Sequence, residues 1–249
     1  MKKKFTFVLI VLFLAAAYNA NAQKWKRVRY EVVYGLGLSN AMTDLGGANQ
    51  DGTHFLRDLE FSKTRPVIYV GTRYKIKEEF AVKFTMSFTY VSGDDALTES
   101  EGRRNRNASF SSPLFETALQ AEYSIIKEKF GNRYTFSNMR KFRLKNVNTY
   151  LFAGVGGFFF NPTTVNQDVA TNKNESFSKI SVSFPMGIGF KYGINRKLSF
   201  GMEIGPRLTL TDYLDGISDI HSKANDSYMF LLFSLNYKLR TARSGFPRF

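Results

Sequence analysis

Apolar and polar residues alternate along most of this chain with a period of two, which is typical of β-strands that have one apolar face. The pattern is clearest at 80–90 and recurs at 180–192 and 198–210. In 149–160 the assignment of faces stays open, because three phenylalanines are consecutive there. The predicted strands are 30–39, 66–76, 80–90, 114–126, 149–160, 180–192, 198–210 and 228–239.

The lengths of the strands and of their connections point to a membrane barrel. Each segment has roughly the 9 to 11 residues that a tilted strand needs to cross the hydrocarbon of a bilayer. Short connections at 77–79 and 193–197 alternate with long polar ones, as periplasmic turns and outer loops do. The sequence therefore predicts an all-β fold, an eight-stranded antiparallel transmembrane β-barrel with long outer loops and a basic periplasmic face. One connection departs from this pattern, since 127–146 is long although the topology puts it on the periplasmic side.

The beginning of the chain has the order of a secretory signal peptide: three lysines, an apolar run at 5–17, and the small-x-small sequence Ala20-Asn21-Ala22. We therefore expect a signal peptide at 1–22, an outer-membrane β-barrel at 23–239 and a basic C-terminal tail at 240–249. The chain has no cysteine, which excludes a disulfide framework and a thiolate metal site.

Charged residues of the predicted strands fall on the polar register, which a barrel would enclose. An Arg or Lys on the lipid face costs about 2–4 kcal/mol at the bilayer midplane, whereas acids and bases can pair inside. A soluble sandwich with one solvated face would show the same register, but the aromatic weight of the other face and the strand lengths favour the barrel. Because side chains about fill an eight-stranded barrel, we predict a packed ionic network in the lumen and no pore. Its predicted members are Glu31, Arg73, Lys83, Glu116, Glu122, Lys191, Glu203 and Arg207.

The formal net charge of +14 is distributed unevenly over the predicted topology. Bases outnumber acids in the periplasmic connections and the tail, with which Lys238 is grouped, while acids outnumber bases in the outer loops. In one interpretation the basic side chains reach the phosphates of the inner leaflet. The length of 127–146 and its interleaved aromatic residues favour another, in which this connection docks a periplasmic partner; nucleic acid is not expected in that compartment. The predicted partner-binding residues are Lys127, Lys129, Arg133, Arg140, Lys141, Arg143, Lys145, Arg240, Arg243 and Arg248.

Two histidines and a group of acids remain as candidates for chemistry. His54 and His221 lie in predicted outer loops beside acids, but adjacency in a loop does not establish a base within hydrogen-bond reach of a nucleophile. The acids of the last predicted outer loop are Asp212, Asp215, Asp219 and Asp226. Their spacing does not match a Ca²⁺-binding loop, so solvated charge or a rim salt bridge is the favoured role, and the stretch Asp212-Tyr-Leu-Asp215 is expected to order the loop base. We predict no enzyme, no cofactor, no metal site and no small-molecule substrate.

Several stretches resemble the PorG-like outer-membrane barrels associated with the type IX secretion system. LSFGMEIGPRLTLTDYLDGIS at 198–218 resembles their penultimate strand and last outer loop, and YGLGLSN at 34–40 followed by TDLGG at 43–47 resembles their first strand and loop. Further matching stretches are FSSPLFE at 110–116, YLFAGVG at 150–156 and GFPRF at 245–249.

The resemblance implies a non-catalytic, OmpA-like eight-stranded barrel in contact with outer-membrane lipid. It further implies that the barrel tethers the periplasmic ring proteins of the secretion machine to the outer membrane. The alternatives are a paralogous structural or adhesion-type barrel and a lipid A-modifying barrel enzyme.

Overall fold

The computed structural model describes residues 28–43, 45, 61–97, 107–128, 147–165, 177–195, 197–217, 225–241 and 247–248. The long strands in these ranges are β1 (Tyr30–Met42), β2 (Arg65–Lys75), β3 (Phe80–Asp94), β4 (Ser109–Ile126), β5 (Val147–Phe160), β7 (Ile180–Gly193), β8 (Leu198–Thr209) and β9 (Ser227–Thr241). Two short strands, β6 (Thr163–Val165) and β10 (Pro247–Arg248), pair with β4 and β9. Single 3₁₀ turns occur at Phe61–Lys63 and Asp95–Leu97.

The long strands close into a barrel. Each pairs antiparallel with the next, β5 pairs directly with β7, and β1 pairs with β9 from Tyr30–Leu239 to Met42–Ser227. The predicted eight-stranded antiparallel barrel is confirmed. β9 continues beyond Leu239, where the sequence analysis ended the barrel, to Thr241, and β10 folds back onto this extension.

The two ends of the barrel differ in their connections. We call the end with the β2–β3 and β7–β8 turns the turn end; the β4–β5 connection also leaves from it. Both turns are tight, since the amide of Ile76 donates to the carbonyl of Phe80 at 2.9 Å and that of Ile194 to Leu198 at 3.1 Å. The opposite end, from which the longer connections 43–64, 95–108, 161–179 and 210–226 leave, is the loop end.

Inward and outward side chains alternate around the whole barrel. Apart from Asn40 and Asp94 near the loop end, the outward positions of the described strands carry apolar, aromatic, small or hydroxyl side chains. Phe158 and Phe160 point inward and are buried, while Phe159 points outward and is 46% exposed, which settles the faces of β5. A continuous apolar exterior of this size is not stable in water, and it has the character of the lipid-facing band of a transmembrane barrel.

The described residues contain no helix that is long and apolar enough to span a membrane.

The lipid-facing exterior can be tested by comparing two outward positions on β4. Leu119 lies near the middle of this strand and is 52% exposed, and Ile125 lies at its turn end and is 57% exposed. We expect Leu119→Arg to lower the free energy of unfolding by about 2–4 kcal/mol and Ile125→Arg by about 0–1 kcal/mol, because the penalty follows depth in the bilayer. Denaturant titration of the protein folded into phospholipid vesicles measures both. Equal losses at the two positions would contradict a bilayer-spanning β4.

Candidate functional site

The interior of the barrel contains charged side chains that lie at most 8% exposed. All eight residues that the sequence analysis assigned to the lumen are among them, and three more, Lys75, Glu128 and Lys238, lie with them. Their contacts form three groups at successive levels between the two ends.

The central cluster consists of Arg73, Lys83, Glu122, Glu203 and the hydroxyl of Tyr150. Arg73 donates to both carboxylate oxygens of Glu122, at 2.7 and 3.0 Å, and Lys83 donates to both oxygens of Glu203, at 2.5 and 2.6 Å. Tyr150 donates to Glu203 at 2.6 Å and accepts from Arg73 at 3.1 Å. Two cations therefore face two carboxylates, and buried charges that are paired and hydrogen-bonded in this way avoid most of the desolvation penalty of isolated ions.

Contacts of the central cluster cross the lumen. Lys83 belongs to β3 and Glu203 to β8, which lie four strands apart in either direction around the barrel, so this pair joins opposite walls. The neighbouring wall makes room for the cluster with a glycine. Gly189 on β7 is the register partner of Tyr150, and a Cβ atom at Gly189 would collide with the tyrosine ring.

The turn-end cluster consists of Glu31, Lys75, Glu128, Lys191 and Lys238. Glu31 accepts from Lys191 at 3.0 Å, lies 3.0 Å from the ammonium of Lys75, and is joined to the central cluster by Arg73 at 2.9 Å. Glu128 forms an ion pair with Lys238, and its Oε2 atom lies 3.6 Å from the Nζ atoms of both Lys75 and Lys191. Burial opposes ionisation of Glu128, but the ammonium groups of Lys191, Lys75 and Lys238 outweigh it and lower the pKa of this carboxyl. Glu128 is therefore a carboxylate at neutral pH.

The third group lies nearer the loop end. Tyr228 on β9 donates to Glu116 on the opposite strand β4, and the Nε atom of Arg207 lies 3.5 Å from the same carboxylate. The guanidinium of Arg207 covers the ring of Phe230 at 3.9 Å from its centroid. Toward the loop end the filling is mainly apolar, with buried hydroxyls such as those of Ser39 and Thr89 that are hydrogen-bonded to each other. The apolar filling includes Leu45, Val67, Val91, Phe110, Leu114, Phe158, Phe160, Leu214, Ile217, Tyr228 and Phe230.

Buried aspartates hold the connections of the loop end together. Asp215 accepts from the backbone amides of Leu45, at 3.0 Å, and Ile217, at 2.9 Å, and so ties the β8–β9 connection to the β1–β2 connection. Asp226 accepts from the amide of Leu214 at 2.8 Å. These two carboxylates order the base of the last loop. No group of three or more potential metal ligands occurs among the described residues.

Sequence reasoning missed three members of the interior clusters. Lys75 is two residues from Arg73 and on the same register, and this spacing is sufficient to assign its side chain to the interior. Lys238 is likewise two residues from the inward Asn236 and on the same register. Because it lies close to the end of the chain, the prediction grouped it with the basic tail. Glu128 lies two residues beyond the end of β4, so no strand register could assign it to the interior.

The predicted partner-binding residues are only partly described. Lys127 forms an ion pair with Glu79 of the β2–β3 turn, and this hydrogen bond lowers the pKa of Glu79. Arg240 is exposed at the end of β9, and the backbone of Arg248 belongs to β10. The positions outside the described residues are Lys129, Arg133, Arg140, Lys141, Arg143, Lys145 and Arg243, together with His54, Asp219 and His221.

A family model described as a domain of unknown function, DUF6089, matches residues 3–240. The chain belongs to the DUF6089 family. No curated protein matches its sequence.

Solved structures resemble this DUF6089 barrel at low sequence identity. Ail, the attachment invasion locus protein of Yersinia pestis, is 11% identical over 85% of this chain and 99% of its own, with a TM-score of 0.44. Neisserial surface protein A is 13% identical over 84% and 96%, with a TM-score of 0.46. OprG from Pseudomonas aeruginosa is 11% identical over 85% and 96%, with a TM-score of 0.40. The strand pairing of the chain itself establishes the architecture described above. This architecture is that of an outer-membrane β-barrel.

The interior pairs can be tested by removing one cation. Lys83→Met leaves the Glu203 carboxylate short of its main partner, and breaking a buried pair in this way costs about 3–5 kcal/mol of unfolding free energy. Adding Glu203→Gln, which keeps an acceptor for Tyr150, should recover part of this loss.

The control for the interior pair is Lys63→Met at the loop end. The Lys63–Asp94 pair has side chains 24% and 23% exposed, and such pairs contribute about 0–1 kcal/mol. Denaturant titration in vesicles compares the variants. If Lys83→Met lowered the free energy of unfolding no more than Lys63→Met, the central cluster would not stabilise the barrel as described.

Proposed function

We propose that this barrel is a non-enzymatic outer-membrane component of the type IX secretion system. In this proposal the turn end faces the periplasm, and the basic β4–β5 connection tethers the periplasmic ring proteins of the machine to the membrane. The resemblance of 34–47 and 198–218 to PorG-like barrels supports this role, and the charge distribution agrees with it.

The filled interior supports a role at the ends of the barrel rather than through it. Side chains join opposite walls at three levels, through Glu128–Lys238, Lys83–Glu203 and Tyr228–Glu116. Passage of a solute would require several buried ion pairs to separate, and each would then leave charges without their partners. The binding surfaces of the barrel therefore lie on its connections.

The observation that carries the proposal is the concentration of basic residues at the turn end. The connection 127–146 contains seven Lys or Arg residues and one acid, and it is interleaved with Phe130, Tyr134, Phe136 and Phe142. A basic surface of this kind attracts an acidic partner and raises the association rate. Attraction to lipid phosphates is electrostatic and does not need aromatic residues. Their presence therefore favours a protein partner, which they would contact through apolar surface.

Crosslinking in intact envelopes followed by purification of the barrel tests the tethering role. We expect the wild-type barrel to recover the ring proteins, and the triple variant Arg140→Gln, Lys141→Gln and Arg143→Gln to recover about tenfold less, since steering by charge is lost. The matched control is Arg103→Gln, Arg104→Gln and Arg106→Gln in the β3–β4 connection, which removes the same charge from the loop end.

Two results would contradict the proposal. Wild-type recovery of barrel-assembly factors alone would indicate a paralogous structural barrel. Equal loss of the ring proteins in the control variant would show that net charge, and not the turn end, governs recovery.

A further inference from the structure

The turn-end cluster is built around one carboxylate that does not come from a barrel strand. Glu128 lies two residues beyond the end of β4, yet it is 8% exposed. Its Oε1 atom accepts from Lys238, and its Oε2 atom lies 3.6 Å from each of Lys75 and Lys191. The three ammonium groups come from β9, β2 and β7, and none of these strands pairs with β4.

The position of Lys238 requires Glu128 to enter the mouth of the barrel. β4 and β9 are four strands apart in either direction, so they form opposite walls. A Glu128–Lys238 contact therefore cannot form along the rim and has to cross the lumen. The adjacent Lys127 remains outside, 39% exposed and paired with Glu79, so the chain turns inward between these two residues.

Charge balance also requires a carboxylate at this place. At the turn end Lys75, Lys191 and Lys238 face Glu31 and Glu128, and Glu31 is shared with Arg73. Without Glu128, the three buried ammonium groups would have Glu31 as the one carboxylate at this level among the described residues, and Glu31 also accepts from Arg73 of the central cluster. Buried cations in such excess are strongly destabilised, and they bind an anion that fits between them.

We propose that the turn-end mouth is a carboxylate-binding site formed by Lys75, Lys191 and Lys238, which Glu128 occupies in cis. The ligand class is a small carboxylate, with one oxygen on Lys238 and the other between Lys75 and Lys191. Occupation by Glu128 fixes the start of the β4–β5 connection inside the mouth instead of at the rim. The site therefore determines where the basic connection leaves the barrel.

Truncation followed by chemical rescue tests the site in the purified full chain. We expect Glu128→Ala to lower the unfolding temperature by several degrees, and sodium acetate to restore more than half of this loss in a saturable way. Sodium chloride at the same ionic strength should not do so, because screening does not supply a ligand. Rescue should disappear in Glu128→Ala with Lys238→Met.

The matched control is Glu116→Ala. This carboxylate is also buried and bound to a β9 side chain, but apolar side chains fill the lumen between it and the loop end. Acetate should therefore leave Glu116→Ala unchanged. Equal rescue of both variants, no rescue of Glu128→Ala, or a Glu128→Ala protein as stable as the wild type would overturn the proposal.

A second experiment tests the inward position of residue 128 even if Glu128→Ala does not fold. The chain has no cysteine of its own, so paired cysteines report a single contact. Glu128→Cys with Lys238→Cys should be joined by a thiol-specific bifunctional crosslinker about as long as the Glu and Lys side chains that it replaces, whereas Lys127→Cys with Lys238→Cys should not, because Lys127 lies outside the mouth. Crosslinking of the second pair but not the first would contradict the inward position of residue 128.

Discussion

Confinement of charge is the constraint on which the rest of this structure depends. A closed barrel with an apolar exterior leaves its strand charges no solvent to face, so each must find a partner inside. The partners are on other strands, on the opposite wall for Lys83–Glu203 and two strands away for Arg73–Glu122. The same contacts that satisfy the charges therefore also fill the lumen and connect its walls.

The two halves of the lumen meet this constraint differently. Toward the turn end the filling is ionic, and it extends beyond the strands by recruiting Glu128 from a connection. Toward the loop end the filling is apolar, and Leu45, Leu214 and Ile217 from connections complete it. Asp215 and Asp226 hold those connections by accepting backbone amides, which satisfies polar groups that would otherwise be buried without partners. Connections therefore contribute to the filling at both ends, through ion pairs at the turn end and through apolar packing at the loop end.

This organisation relates the interior to the proposed tethering role. A barrel whose walls are joined through its centre is a stiff anchor, and a stiff anchor suits a protein that acts through a connection at one end. The inward turn between Lys127 and Glu128 places the beginning of the basic connection at the mouth. The proposed site of attachment and the ionic filling are in this way parts of one arrangement.

The sequence by itself determined the number of strands, their approximate bounds and the register of eight interior charges, because side-chain alternation is a local property of a strand. It could not assign Phe158 and Phe160 to the interior, since a run of three phenylalanines carries no alternation, and it could not place Glu128, which lies outside any strand. Which charge meets which was decided by the tertiary structure alone. A contact such as Glu128–Lys238 depends on the closure of β1 on β9 and on the stagger of eight strands, and these relations join residues far apart in the chain.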